Sequence, residues 1–153
     1  RALIDDPARV RIAEAPTGSI VLFKPCFVDF WATAPGDVET NVAELVGYAN
    51  EVVAAAEARG VRLILGTAIP RVPAETDPSL VEAHRRYGEE MARLAEENDG
   101  VVVFDLNGAL AGPDGALRDG YALAPGDSHL SSAAYDALDA RFFTLLRDVR
   151  QRP

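Results

Sequence analysis

Ser19-Ile20-Val21-Leu22-Phe23 decides the fold class. After Ser19 the run is wholly apolar and lacks the polar alternation of a strand with one wet face. Such a run reads as a strand covered on both faces, the habit of parallel sheets. Ala15-Pro16-Thr17-Gly18 is the turn that opens it. Lys24-Pro25 closes it, because proline cannot donate to a ladder. Working outward, residues 61–65 and Val101-Val102-Val103-Phe104 repeat the pattern of a buried strand. Between them lie two amphipathic stretches. Residues 37–59 carry Val38, Val42, Leu45, Ala49, Val52 and Ala56 at helical spacing, with Asp37 as the expected N-cap and Gly60 beyond the C-terminus. Asp77-Pro78 opens the second helix with an acidic cap and a first-turn proline. Leu80, Ala83, Tyr87, Met91 and Leu94 form its apolar face, and Asn98-Asp99-Gly100 ends it.

The flanks complete the pattern. Arg9-Val10-Arg11-Ile12-Ala13 alternates and predicts a strand exposed on one face. Residues 106–126 read as a long glycine-rich loop of the kind that often carries function. Ala134, Leu138, Phe142, Leu145 and Val149 predict a final helix. Strand, helix, strand, helix, strand, loop, helix is the order of an α/β domain with a parallel sheet. The absence of repeats and linkers predicts a single domain over residues 1–153. In such sheets the ligand crevice lies beyond the carboxyl ends of the strands. That rule gathers residues 24–31, 67–71, 105–107 and the Asp127/His129 pair on one rim.

Composition narrows the chemistry. A net charge of −9 over 153 residues argues against nucleic-acid or anionic-membrane partners, which require basic patches. No apolar run is long enough to cross a bilayer. Cys26 is the single cysteine, so an internal disulfide and a cysteine-rich zinc site are excluded, and the redox compartment stays undecided. The chain begins with Arg1 and its only methionine is Met91, which leads us to expect a segment upstream.

His129 is the leading candidate for chemistry. An imidazole can take a proton from a hydroxyl nucleophile and return it to a leaving group. Asp127 could orient the ring and stabilise its cation. The competing reading makes Asp127 or Ser131 a helix cap and His129 a surface residue. Cys26 is either a thiol facing His129 or, more commonly, a small buried hydrophobe. Arg71 could hold a carboxylate or a sugar hydroxyl, or be solvated. His84, beside Arg85 and Arg86, reads as part of a wet helix face. Trp31 either stacks a sugar or packs. Glu89, Glu90, Glu96 and Glu97 read as a solvated face and not as a metal cluster.

Asp127-Ser128-His129-Leu130-Ser131 resembles the last block of the SGNH (GDSL-type) hydrolases, where an aspartate and a histidine open the C-terminal helix. The common form places the aspartate three residues before the histidine; here that position is Gly126. Lys24-Pro25-Cys26-Phe27-Val28-Asp29, Thr67-Ala68-Ile69-Pro70 and Val103-Phe104-Asp105-Leu106 resemble strand ends of the same family, in the same order, over residues 19–146. The resemblance implies a three-layer α/β/α, flavodoxin-like fold. It also implies a Ser-His-Asp hydrolase of esters or O-acetylated carbohydrates, without metal or cofactor. Asp127 and His129 become the acid–base pair, and Asp29 falls near the oxyanion-hole position. Lys24, Cys26 and Arg71 become substrate or oxyanion candidates. The family's nucleophile serine lies on an earlier strand that this chain lacks, beside residues 20–23. The expectation is therefore a sheet missing its first strand, completed by an N-terminal segment or a second chain. Gly126-Asp127-Ser128 spells the nucleophile tripeptide, but adjacent side chains diverge, so Ser128 would not readily reach His129. The same scaffold would also suit an acyltransferase, or a binding domain that has lost the serine block.

Overall fold

The computed structural model describes residues 11–151. Three parallel strands, β1 (Ile20–Phe23), β2 (Arg62–Gly66) and β3 (Val101–Phe104), form a sheet in the order β1-β2-β3. Val21 pairs with Leu63, and Leu63 with Val101. Side chains alternate across a strand, so β2 feeds two cores. Leu63 and Leu65 face a cluster built with helix α1 (Pro35–Arg59) and helix α2 (Pro78–Glu97). Ile64 faces a second cluster, with the short helix α3 (Leu106–Leu110) and the terminal helix α4 (Ser132–Gln151). The result is the expected α/β/α layering around a parallel sheet. Between α3 and α4 lies a hairpin of β4 (Ala122–Ala124) and β5 (Asp127–Leu130).

The helix ends follow local chemistry. Asp77 caps α2, its carboxylate accepting from the N–H groups of Ser79 (2.7 Å) and Leu80 (3.0 Å). Asp37 is not the cap of α1. The helix starts at Pro35, and Asp37 reaches back from the first turn to the N–H of Ala34 at 3.1 Å. Proline at the first position extends the helix upstream because its missing N–H needs no partner there.

Three expectations are corrected. Residues 11–14 are helical, not extended, and Ile12 is buried between exposed neighbours. One turn of helix buries a single side chain as well as an alternating strand does. Arg9 and Val10 lie outside the described residues. The loop at 106–126 contains α3, a bridge between Ala111 and Leu117, and β4. Finally, β1 is not covered on both faces. Leu22 is 41% exposed, and no β1 residue is fully buried. Among the described residues nothing pairs with its outer edge. Over the face of β1 and β2 that α4 covers runs an open groove of about 630 Å³, lined by Ile20, Leu22, Arg62, Ile64, Phe142 and Leu146.

Candidate active site

A tight turn builds the site. Pro125-Gly126 joins β4 to β5, and Gly126 has φ +77°, the left-handed value that a type II turn demands after proline. The turn sets the phase of β5. With a side-chain period of two, Asp127 and His129 share the outer face and Ser128 points inward. The sequence suggested that the pair sits at the mouth of a helix. It sits instead on a strand, and Ser131 provides the helix start, accepting from the Ala134 N–H at 3.4 Å. A two-residue spacing puts both side chains on one face of a strand.

His129 Nδ1 lies 2.6 Å from Asp127 Oδ1, and the His129 N–H donates to the same oxygen at 2.9 Å. The backbone bond first, and the ring bond second, hold the Asp127 carboxyl below the usual carboxylate range. An ionised carboxylate only accepts, so Nδ1 carries the proton and Nε2 is left as the basic nitrogen. The His129 side chain is 69% exposed. One side of the ring is fixed by Phe27, edge-on with centroids 5.3 Å apart.

Ser128 belongs to the structure beneath. It is 3% exposed, its Oγ donates to Glu75 Oε2 at 2.7 Å, and it accepts from the Val72 N–H at 3.1 Å. Its hydroxyl therefore lies on the face of the strand opposite His129.

The other candidates fall on the turn Phe27–Asp29 and its support. The Asp29 N–H donates to Cys26 O at 3.0 Å, and Asp29 Oδ2 accepts from the Cys26 N–H at 2.6 Å. The Asp29 amide is thus engaged inside the turn. Cys26 is exposed, not the buried hydrophobe that its residue type favours, because it caps this surface turn. Lys24 is exposed at the end of β1. Arg71 donates from Nε and Nη2 to Phe27 O (3.2 and 3.0 Å) and from Nη2 to Phe30 O (2.7 Å). Trp31 is 40% exposed and donates its indole N–H to Glu44 at 3.3 Å. Thr67 and Asp105, at the ends of β2 and β3, bond to each other at 3.1 Å, so the rim is knitted from neighbouring strand ends.

Asn41 escaped the sequence reading, and His84 was misplaced by it. Asn41 is 1% exposed and accepts from the N–H groups of Trp31 (3.0 Å) and Ala32 (3.2 Å) while donating to Asp29 O (3.1 Å). It pins the loop that follows the Phe27–Asp29 turn. His84 is buried, not solvated. Its ring meets Phe30 edge-on at 4.6 Å, and neither ring nitrogen has a partner among the described residues. Burial first, and the Arg71 charge second, push its pKa down to about 4. Both residues lie on apolar helix faces, Asn41 between Val38 and Leu45, and His84 between Leu80 and Tyr87. A polar residue at an apolar phase was the available signal. The acidic face of α2 is ion-paired, with Arg93 bridging Glu90 and Glu97, and Arg85 bridging Glu82 and Glu89.

Solved structures share this architecture. A protein from Bacteroides fragilis assigned as an acylhydrolase is 17% identical, with 95% of this chain and 97% of that one covered at a TM-score of 0.58. A GDSL-like lipase from Bacteroides thetaiotaomicron is 16% identical, with 92% and 69% covered and a TM-score of 0.61. The fold is that of GDSL-like hydrolases. A lipolytic protein of the G-D-S-L family from Desulfitobacterium hafniense, 16% identical, matches over 89% of this chain and 71% of its own at a TM-score of 0.56. At these identities the likeness to the GDSL-like structures is one of fold. No family model and no curated protein sequence matches the chain.

Proposed function

We propose that this chain is the acid–base part of an SGNH-type serine ester hydrolase acting on an ester or O-acetylated carbohydrate. The observation that carries the reading is the 2.6 Å contact between His129 Nδ1 and Asp127 Oδ1 on the outward face of β5. Nε2 accepts the proton of a serine hydroxyl as that oxygen attacks the acyl carbon, and Asp127 stabilises the resulting imidazolium. The imidazolium then protonates the departing alkoxide, and a water activated by the same nitrogen releases the acid. The nucleophile serine is supplied from outside this chain, by an N-terminal segment or a second chain lying along the open edge of β1. A strand running parallel to β1 there would end beside Phe23 and Lys24, on the rim that carries Phe27 and His129. The free edge, the open groove and the inward Ser128 support this arrangement.

The test uses the longest natural polypeptide that contains the chain. Turnover of p-nitrophenyl acetate should fall about 100-fold or more in His129→Ala, the range for loss of a general base. Unchanged turnover removes His129 from the mechanism. A fluorophosphonate probe, mapped by mass spectrometry, should label a serine outside these residues. Labelling of Ser128 would overturn the external nucleophile.

A further inference from the structure

Arg71 was considered as a substrate ligand, but its contacts serve the protein. Its guanidinium gives two bonds to Phe27 O and one to Phe30 O, bracketing the turn that leaves β1. Its Cζ lies 6.0 Å from the centroid of the Phe27 ring, so the same group also steadies the side chain. The next peptide unit acts on the other wall: the Val72 N–H donates to Ser128 Oγ, the residue between Asp127 and His129. The Arg71 carbonyl is itself held, accepting from the Leu117 N–H at 2.7 Å and from Thr76 Oγ1 at 3.0 Å. Two consecutive residues beyond β2 therefore tie together segments about 100 positions apart, the Phe27–Asp29 turn and β5. Where these segments meet, Phe27 stands edge-on to His129.

The geometry points to Arg71 as a positioning residue that fixes the Phe27 ring against His129 and so sets the orientation of the imidazole. A planar fork reaches two carbonyls and a ring at once; the single ammonium of lysine does not. Only the activity arm of the following test rests on His129 being the general base.

The experiment compares wild type with Arg71→Lys, Arg71→Met and Phe27→Leu by NMR of the His129 imidazole. Thermal melts serve as the control for folding. Loss of the clamp frees the Phe27 ring, so in both Arg71 variants the His129 Hε1 shift should move to the Phe27→Leu value. The double variant Arg71→Lys/Phe27→Leu should show no further change. An unmoved His129 resonance in a folded Arg71 variant overturns the inference. If Arg71→Met does not fold, Arg71→Lys decides by the same criterion. In turnover of p-nitrophenyl acetate, kcat should fall roughly 10- to 100-fold with KM little changed, as for displaced catalytic geometry. A rise in KM alone marks Arg71 as a substrate ligand and also overturns the inference. If the longest natural polypeptide, labelled at no serine by the fluorophosphonate probe, also shows no turnover, the hydrolase reading fails, while the NMR comparison still decides the role of Arg71.

Discussion

A buried imidazole with no partner among the described residues gives His84 a direct effect on stability. Its folded pKa of about 4 lies below the ordinary 6.5, so the unfolded chain binds the proton first as pH falls. The His84 contribution is complete above pH 6.5 and is lost as pH drops from there through 4, in total about 3 kcal/mol. Urea denaturation should show roughly 2 kcal/mol of this loss between pH 7.5 and pH 5. His84→Leu should remove that share of the slope and, by removing two orphaned nitrogens, leave the protein no less stable at pH 7.5. An identical slope in the variant would refute the assignment. Ser128 makes the complementary prediction. Ser128→Ala strands Glu75 and the Val72 N–H and should cost about 1–3 kcal/mol, read as a lower Tm. Turnover should stay within severalfold of wild type; abolished turnover in a folded variant would make Ser128 the nucleophile.

At the scale of elements, the hairpin β4–β5 decides which face presents the dyad. Gly126 sits at φ +77°, and a side chain there would meet no neighbour within 4 Å, so the cost of Gly126→Ala is one of backbone conformation alone. It should be about 1 kcal/mol. Amide exchange should quicken across Ala122–Leu130 while α1 and β2 keep their protection; uniform loss of protection would contradict a local role for the turn. The same elements show what was legible beforehand. Residues 20–23, 61–65 and 101–104 announced themselves as strands through apolar runs interrupted only by Arg62, although residues 20–23 are less buried than such a run implies. The Asp127/His129 pair was found by residue type, yet its setting was missed: Ser-His-Leu is too short a pattern to reveal a strand beside a helix start. His84 was misplaced because Arg85 and Arg86 beside it suggested a wet face, and Asn41 went unremarked, although helical phase placed both inward. The contacts of Arg71 depend on tertiary approach across 44 positions and leave no local trace.

On the scale of the whole molecule, β2 is paired on both sides, whereas β1 and β3 each leave an outer edge unpaired among the described residues, and the groove beside α4 adjoins β1. Phe142 and Leu146 line that groove, and Phe143 nearby is 65% exposed, so the apolar stripe of α4 is only partly covered. In hydrogen exchange, the β1 amides not bonded to β2 should exchange much faster than those of β2. A longer polypeptide carrying the proposed strand should protect them; equal exchange in the two forms would argue against strand addition at this edge.

The Asp127–His129 contact also has a consequence for the order in which the molecule assembles. Its two ends are separated by one residue, so closing it requires almost no loop entropy. A bond of such low contact order can form as soon as the hairpin does, before the parallel sheet is complete. The dyad should also persist when the hairpin lifts from the core in local fluctuations. What such an opening removes is the distant company of the dyad, first of all the ring of Phe27.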